Sequence, residues 1–120
     1  MGAKGKKQWL IPDAFYPEVD NGSYVSHEAV CVLNTGEKDA HIDFTLYFED
    51  REPRRGFHAV CGAERTHHVR LDKLKDEEGR GIERGVPYAI LVESDVPVVV
   101  QYSRCDTTQS ELSFMGLLAY

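Results

Sequence analysis

The chain has 120 residues, a formal net charge of −6 and a sequence pI near 5.3. A chain of this length forms one domain with its own core. Its acidic charge repels phosphate backbones and anionic lipid, so general nucleic-acid binding is disfavoured. No apolar run near either end approaches the roughly 20 residues that cross a bilayer. We therefore expect a cytoplasmic protein with a flexible basic N-terminal segment over 1–7 and a single β-sandwich domain over 8–120.

Eight short strands are predicted along the chain, and no amphipathic helix. Their ranges are 8–11, 26–33, 40–48, 57–61, 66–71, 88–93, 98–104 and 112–120. In the clearest of them, 40–48, apolar and polar residues alternate, which is typical of a half-buried strand. Strands at such intervals are typical of a two-sheet sandwich. The predicted fold class is therefore all-β, with antiparallel strands.

The connections between the strands add three expectations. Turn-forming residues over 34–39 predict that 26–33 and 40–48 pair as an antiparallel hairpin. The charged, glycine-containing interval 72–85 predicts a solvated loop or a single turn. The stretch 98–100 is apolar on both faces, so we expect it to be a central strand or to pack against another subunit. The stretch 112–120 is apolar for a terminus, which an oligomer interface would explain.

The segment from His27 to Cys31 reads HEAVC, which resembles a zinc-protease helix with its second histidine replaced by cysteine. Its neighbours are strand formers, and in a strand His27 and Cys31 lie roughly 13 Å apart, too far to share one zinc ion. Glu28 then points to the opposite face. A shared metal would need His41, His67 or His68 from a neighbouring strand, but solvent-facing sheet positions are the expectation for these histidines. No metal and no cofactor is predicted.

Other chemical signatures are weak. The 3 cysteines are an odd number at wide spacing, which predicts reduced and mostly buried thiols rather than disulfides. There is no GxSxG elbow, phosphate-binding loop or dinucleotide fingerprint, so no enzyme class is indicated. The chain is predicted not to be an enzyme.

Polar residues within an apolar strand are more informative. Arg104 shares a strand face with Tyr102 and Asp106, and Gln101 lies on the other face. One interpretation is an ion pair of Arg104 with Asp106 or Glu28 that closes the end of the sandwich. The other is a pocket for a small polar ligand, in which Arg104 supplies planar donors beside Glu28 and Trp9 stacks on the apolar face of a sugar.

A locally basic strand lies at 65–71. Thr66, His68 and Arg70 share one of its faces. This stripe either balances the acidic loops or, together with Arg65, forms an anion-binding or partner-docking patch.

Across almost its whole length the sequence resembles the cyanobacterial (Anabaena) sensory rhodopsin transducer family. The resemblance rests on the order and spacing of many short matches rather than on one motif. They are Trp9, Ser26-His27-Glu28, Cys31, Leu33-Asn34, Gly36, Asp39-Ala40-His41, Tyr47, Asp50, Glu52-Pro53, Arg65-Thr66, His68-Val69-Arg70, Ser94, Val96-Pro97, Val99-Val100-Gln101, Arg104, Asp106, Gln109 and Ala119-Tyr120.

The resemblance implies an eight-stranded antiparallel β-sandwich of jelly-roll type, assembled as a homotetramer and without catalytic activity. It implies a small-molecule, sugar-like ligand or a signal-transducing role, with a membrane receptor as a candidate partner. The ligand positions carried over are Trp9, His27, Glu28, Gln101 and Arg104. The alternative is a protein-protein or DNA-binding adaptor that couples a receptor to a downstream response through Arg65, His68 and Arg70. The loop over 73–85 and the lysine-bearing start depart from the named member, which places coupling to a rhodopsin in particular doubt.

Overall fold

The structure, a computed structural model, describes residues 2–17, 27–106 and 113–119. All strand pairings in these ranges are antiparallel, which confirms the predicted all-β, antiparallel fold class. No helix in these ranges is long and apolar enough to cross a membrane. The strands are β1 (Lys6–Ala14), β2 (His27–Asn34), β3 (Ala40–Phe48), β4 (Arg54–Cys61), β5 (Arg65–Arg70), β6 (Tyr88–Asp106) and β7 (Ser113–Leu118).

Strand β6 organises the whole sheet. Its first half pairs with β3 on one side and with β1 on the other, as at Val92, which is opposite both Phe44 and Trp9. Its second half pairs with β2 and β7, as at Tyr102, which is opposite both Val30 and Leu117. The curled sheet therefore has a first layer with the order β4-β3-β6-β1 and a second layer with the order β5-β2-β6-β7.

A bend in β6 brings the two layers face to face. A straight strand of its 19 residues would span roughly 60 Å, whereas the longest dimension of the molecule is 46 Å. The pairing register breaks between Glu93 and Val98, around Pro97, and the Val96 amide donates to the Ser94 hydroxyl at 3.3 Å. Strands pass from one sheet to another through bulges or bends, and proline within a strand is tolerated at such places.

This bend also explains why the described residues form seven strands rather than the eight predicted. The stretches 88–93 and 98–104 were expected as separate strands because Pro97 lies between them. They are instead the two halves of β6. The apolar stretch 98–100 is accordingly central, with Val98 and Val100 fully buried.

The core lies between the two layers. The first layer contributes Phe44, Leu46 and Val92, each at most 1 % exposed, and the second layer contributes Val30 and Val100, each 0 % exposed. Residues of β3 that alternate with this set, such as His41 and Asp43, are exposed. The alternation predicted for 40–48 is therefore observed except at Thr45, which is also buried, and it fixes which face of each layer meets the other.

The predicted hairpin of β2 and β3 is wrong. Strand β2 pairs with β5 and β6, and β3 pairs with β4 and β6, so the turn between β2 and β3 crosses from the second layer to the first. Turn residues identify a change of direction, but they do not distinguish a hairpin from a layer crossing.

Asn34 holds this crossing together from a fully buried position. Its amide nitrogen donates to the carbonyl oxygens of Lys38, Cys61 and Gly62 at 2.8, 3.2 and 3.2 Å, and its amide oxygen accepts from the Gly36 amide at 3.0 Å. One side chain therefore joins the turn after β2 to the turn after β4.

We predict that Asn34→Ala lowers the free energy of unfolding by about 2 kcal/mol, because several buried backbone groups lose their partner together. Urea denaturation followed by circular dichroism measures this change. Asn34→Asp is the informative comparison, since it keeps the acceptor for Gly36 and loses the donors. A cost below about 0.5 kcal/mol for the alanine variant, as at an ordinary surface site, would contradict this role.

The interval 72–85 is an irregular segment that runs into β6, as expected, and we refer to residues 72–87 as the 72–87 loop. The carboxylate of Asp76 accepts several of the hydrogen bonds that hold this loop together. The Asp76 carboxylate accepts from the Arg54 guanidinium at 3.0 Å and from the Glu78 and Arg80 amides at 3.0 and 2.9 Å. Asp76 also bridges to Phe57 of β4, so this loop is fixed to the sheet rather than fully solvated.

Candidate functional site

Glu28 lies on the inner face of β2 and is 1 % exposed. Its Oε1 accepts from the Tyr88 hydroxyl at 2.7 Å, and its Oε2 accepts from the Phe15 amide at 2.8 Å and from the Tyr102 hydroxyl. A buried carboxylate needs such donors to replace water. The donors come from the segment after β1 and from both halves of β6, so Glu28 ties together parts of the chain that are far apart in sequence.

The bend in β6 is what makes this cluster possible. In a straight strand the Cα atoms of Tyr88 and Tyr102 would be roughly 46 Å apart, far beyond the reach of two side chains that share one carboxylate. The strand register places Glu28 directly opposite Arg104. We call the set of Glu28, Tyr88, Tyr102 and Arg104 the buried carboxylate centre.

Arg104 is the least satisfied member of this centre. Its Nε donates to the Tyr102 hydroxyl oxygen at 3.3 Å, and its Nη2 lies 3.9 Å from Oδ1 of Asp13, too far for a hydrogen bond. The Nη2 atom is buried and has no hydrogen-bond partner among the described residues. The Arg104 side chain is 16 % exposed and that of Asp13 is 82 % exposed, so this unused donor lies just beneath the surface.

The electrostatics of the centre keep Tyr88, Tyr102 and Arg104 protonated, so that they remain hydrogen-bond donors. Burial, followed by the negative charge of Glu28, raises the pKa of the Tyr88 phenol well above its usual value and raises that of Tyr102 as well. For Arg104, burial opposes the charged form, but the hydrogen bond with Tyr102 and the charge of Glu28 outweigh it, and the pKa is raised. Both tyrosines therefore remain protonated donors at neutral pH, and Arg104 remains a cation.

An open cleft of about 260 Å³ adjoins the buried carboxylate centre: its lining includes Tyr88 of the centre and Asp13, which faces Arg104. Small-molecule sites are typically clefts of roughly this size or larger, with a few polar groups on an apolar lining. The lining residues are Pro12, Asp13, Tyr47, Phe48, Glu49, Pro87, Tyr88 and Ala89.

The structure does not bring Trp9 to this centre. The indole nitrogen of Trp9 donates to the carbonyl oxygens of Lys6 and Val98 at 3.1 and 2.9 Å, and the Lys6 ammonium lies 4.4 Å from the ring centroid. Trp9 is four residues from Asp13 along β1, which corresponds to roughly 13 Å. Lys6 and Lys7, which belong to the segment expected to be flexible, form the start of β1.

Two further predicted ligand residues lie on the outer face of the second layer. Gln101 is exposed and adjacent in β6 to the buried Tyr102, so it points away from the centre. His27 is adjacent in β2 to the buried Glu28 and likewise points outward. Of the five predicted ligand residues, the structure therefore brings together only Glu28 and Arg104.

The zinc-protease resemblance is resolved by strand β2. His27 and Cys31 lie four residues apart on its outer face and Glu28 lies on its inner face, as the strand assignment predicted. In the described ranges no group of three or more His, Cys, Asp or Glu residues could hold a metal ion. The thiol of Cys61 is buried, which raises its pKa, whereas Cys31 is only half-buried and its Sγ lies 4.0 Å from the Ser103 hydroxyl.

The predicted basic patch lies on β5, the strand beyond β2 in the second layer. Arg70 is paired with Asp72 through two hydrogen bonds of 2.7 Å, and Nη1 of Arg65 donates to the Glu64 carbonyl oxygen at 3.1 Å. His68 is exposed and lies opposite Cys31. Because Asp72 neutralises Arg70, the patch carries less positive charge than its sequence suggests.

Comparisons with known proteins agree with this architecture. The sequence model described as the Anabaena sensory rhodopsin transducer matches residues 4–120. The chain belongs to the Anabaena sensory rhodopsin transducer family. A crystal structure of Thermotoga maritima 1070 is similar at 37 % identity and a TM-score of 0.86, covering 98 % of this chain and 95 % of that chain. The structure of the Anabaena sensory rhodopsin transducer itself is similar at 36 % identity and a TM-score of 0.77, covering 90 % and 95 %. No curated protein matches the sequence.

In this member of the transducer family, sequence reasoning missed Tyr88, Asp13 and the Phe15 amide. Nothing in the pattern of β1 or of the start of β6 indicates that Tyr88 and the Phe15 amide meet Glu28 or that Asp13 faces Arg104, because the bend that brings them together is a tertiary feature. Tyr102 could have been found. It lies on the same predicted strand face as Arg104, and a buried tyrosine hydroxyl needs a polar partner.

Proposed function

We propose that this transducer-family member is a non-enzymatic cytoplasmic domain that binds a neutral, sugar-like ligand, or transmits a signal, through the surface above Arg104. The observation that carries the proposal is the buried Nη2 of Arg104, which faces Asp13 at 3.9 Å without a hydrogen bond. Leaving such a donor unsatisfied costs about 1–3 kcal/mol, which a ligand oxygen would recover on binding.

The charges around Arg104 favour a hydroxyl over an anion. Glu28 and Asp13 are two carboxylates beside one guanidinium, so a further negative charge would be repelled. A ligand hydroxyl group can accept a hydrogen bond from Nη2 of Arg104 and donate one to the Asp13 carboxylate, two groups that lie 3.9 Å apart. The adjoining cleft offers Tyr47 and Pro87 as apolar surface for the rest of a sugar-like molecule.

Glu28 supports this site rather than contacting a ligand, because three donors already occupy it. Its role is to hold Tyr102 and, through Tyr102, the guanidinium of Arg104. Trp9, His27 and Gln101 have no assigned contact with this ligand, since they lie elsewhere on the sheet.

The experiment is a thermal-shift screen of neutral sugars and polyols, with sugar acids as a comparison set. At one hundred times its dissociation constant, a true ligand adds about 2.7 kcal/mol to the free energy of unfolding, which corresponds to a Tm increase of roughly 10 °C. Arg104→Lys removes the planar donor while retaining the charge, so we expect it to abolish most of the shift. Asp13→Asn should weaken binding less.

Arg65→Lys is the matched control, because Arg65 is exposed on β5 and should leave the shift unchanged. The proposal fails if no neutral sugar or polyol stabilises the protein. It also fails if folded Arg104→Lys responds as strongly as the wild type.

We also propose three further properties that membership of the family implies. They are a jelly-roll sandwich, which has eight strands among the described residues if the two halves of β6 are counted separately, a homotetramer, and a membrane receptor as signalling partner. The similarity to a protein known as a sensory rhodopsin transducer supports a receptor partner of that kind. Sedimentation of the purified protein tests the tetramer.

A further inference from the structure

His58 is held between two carboxylates on the outer face of the first layer. Its Nδ1 lies 2.6 Å from Oδ1 of Asp43, and its Nε2 lies 2.6 Å from Oε1 of Glu77. An ionised carboxylate only accepts hydrogen bonds, and a neutral imidazole carries only one N–H. Both contacts therefore require the doubly protonated, cationic form of His58.

The two carboxylates differ in how firmly they are held. Asp43 lies in the ladder of β3, directly opposite His58 in β4. Glu77 belongs to the 72–87 loop, which reaches β4 at the bridge between Asp76 and Phe57. That bridge lies on the edge of β4 that β3 does not occupy, so the loop covers the edge of the sheet.

Gly56 lies beside this contact, and its backbone has a φ of +88°. Side chains other than glycine are strained at such a φ, so glycine is needed for the backbone conformation next to His58. The Glu77 side chain lies close to it, 3.6 Å from where a Cβ would be, which is an ordinary packing distance.

The charges around His58 favour its cationic form. From β3 it faces Asp43, which is itself opposite Glu93 of β6. From the 72–87 loop it faces Glu77. The nearby cations, Arg54 and Arg80, are bound to Asp76. The hydrogen bond with Glu77, followed by that with Asp43, raises the pKa of His58 above its ordinary value of 6.5, although burial opposes the shift slightly.

We propose that His58 is a proton-operated clasp that fastens the 72–87 loop to the edge of β4 and releases Glu77 when it becomes neutral. Neutral His58 keeps a single N–H and must give up one carboxylate. Asp43 is fixed by its strand, so Glu77 is the one released. The loop continues into β6 at Tyr88, so the clasp lies on the segment that leads into the buried carboxylate centre.

The direction of the pH dependence follows from the raised pKa. The clasp contributes its full stabilisation below pH 6.5, the ordinary value, and loses it as the pH rises through the higher value of the folded protein. The loop should therefore loosen as the pH rises through the raised pKa of His58 and tighten as the pH falls towards 6.5.

Nuclear magnetic resonance tests the clasp in two measurements on the intact protein. The first is the titration of His58, which should occur above pH 6.5 and shift towards that value in Glu77→Gln. The second is hydrogen exchange of the hydrogen-bonded loop amides of Asp76, Glu78, Gly79 and Arg80. Release of Glu77 lowers the pKa of His58. For each unit of this decrease, the protection of these amides should be about tenfold lower at alkaline pH than at acidic pH.

Two variants show whether the pH dependence of loop protection arises from His58. His58→Gln should show lower loop protection that no longer changes with pH, after correction for intrinsic exchange. His41→Gln is the matched control, because His41 pairs with Asp95 on the same outer face without touching the loop. It should retain the wild-type pH dependence. The clasp is refuted if His58 titrates at or below pH 6.5, or if loop protection changes with pH equally in wild type and His58→Gln.

Discussion

Replacing Glu28 with Gln should lower the free energy of unfolding by about 4 kcal/mol, because the buried carboxylate accepts three hydrogen bonds and an amide nitrogen in its place cannot accept. The substitution also removes the negative charge that lies opposite Arg104 in the sheet and is linked to it through the Tyr102 hydroxyl. The side chain keeps its shape, so the cost comes from the lost acceptor and the lost charge rather than from a cavity. The corresponding fall in Tm is roughly 15 °C for a domain of this size.

Urea denaturation followed by the fluorescence of Trp9, the single tryptophan, measures this loss. Glu37→Gln serves as the control, because Glu37 is exposed in the turn after β2 and should change stability by less than about 0.5 kcal/mol. Equal effects of the two substitutions would show that Glu28 is not the anchor that its contacts indicate.

Tyr102→Phe should cost about 3 kcal/mol. The hydroxyl donates to Glu28 and accepts from Nε of Arg104, so its removal affects both charged groups. Tyr88→Phe removes only a donor to Glu28, and we expect a smaller cost of about 2 kcal/mol. The same urea titrations rank the two variants.

A double-mutant cycle separates this network from simple packing. In a Glu28→Gln background, Tyr102→Phe should cost at least about 1 kcal/mol less than in the wild type, because the two side chains act through one hydrogen bond. Additive costs would contradict the network. A larger cost for Tyr88→Phe than for Tyr102→Phe would contradict the assignment of Tyr102 as the link to Arg104.

The fold class could be predicted from the sequence because alternation is a local property. The pattern of Ile42, Phe44 and Leu46 identifies both the strand β3 and its buried face. The partner of β3 could not be predicted in the same way. The turn over 34–39 favours pairing with β2, whereas the observed partners are β4, the next strand in the chain, and β6, which lies much further along it.

The candidate site was predictable only where it depends on strand periodicity. Glu28 and Arg104 could be singled out because each is a charged residue within an apolar strand, and strand register brings them together. Trp9 was grouped with them because a lone tryptophan resembles a sugar-stacking residue. Its indole nitrogen instead binds two backbone carbonyls near the bend of β6, a contact that no periodicity reveals.

The position of β6 late in the chain has a consequence for synthesis on the ribosome. The pairs β3-β4 and β2-β5 can form before β6 emerges, but no strand joins the two layers until Tyr88 and the residues after it are available. Between the emergence of β5 and that of β6, the nascent chain therefore carries two sheet fragments that no shared strand holds together, and their apolar faces are poorly protected. A chain that stalls before β6 is expected to depend on chaperones.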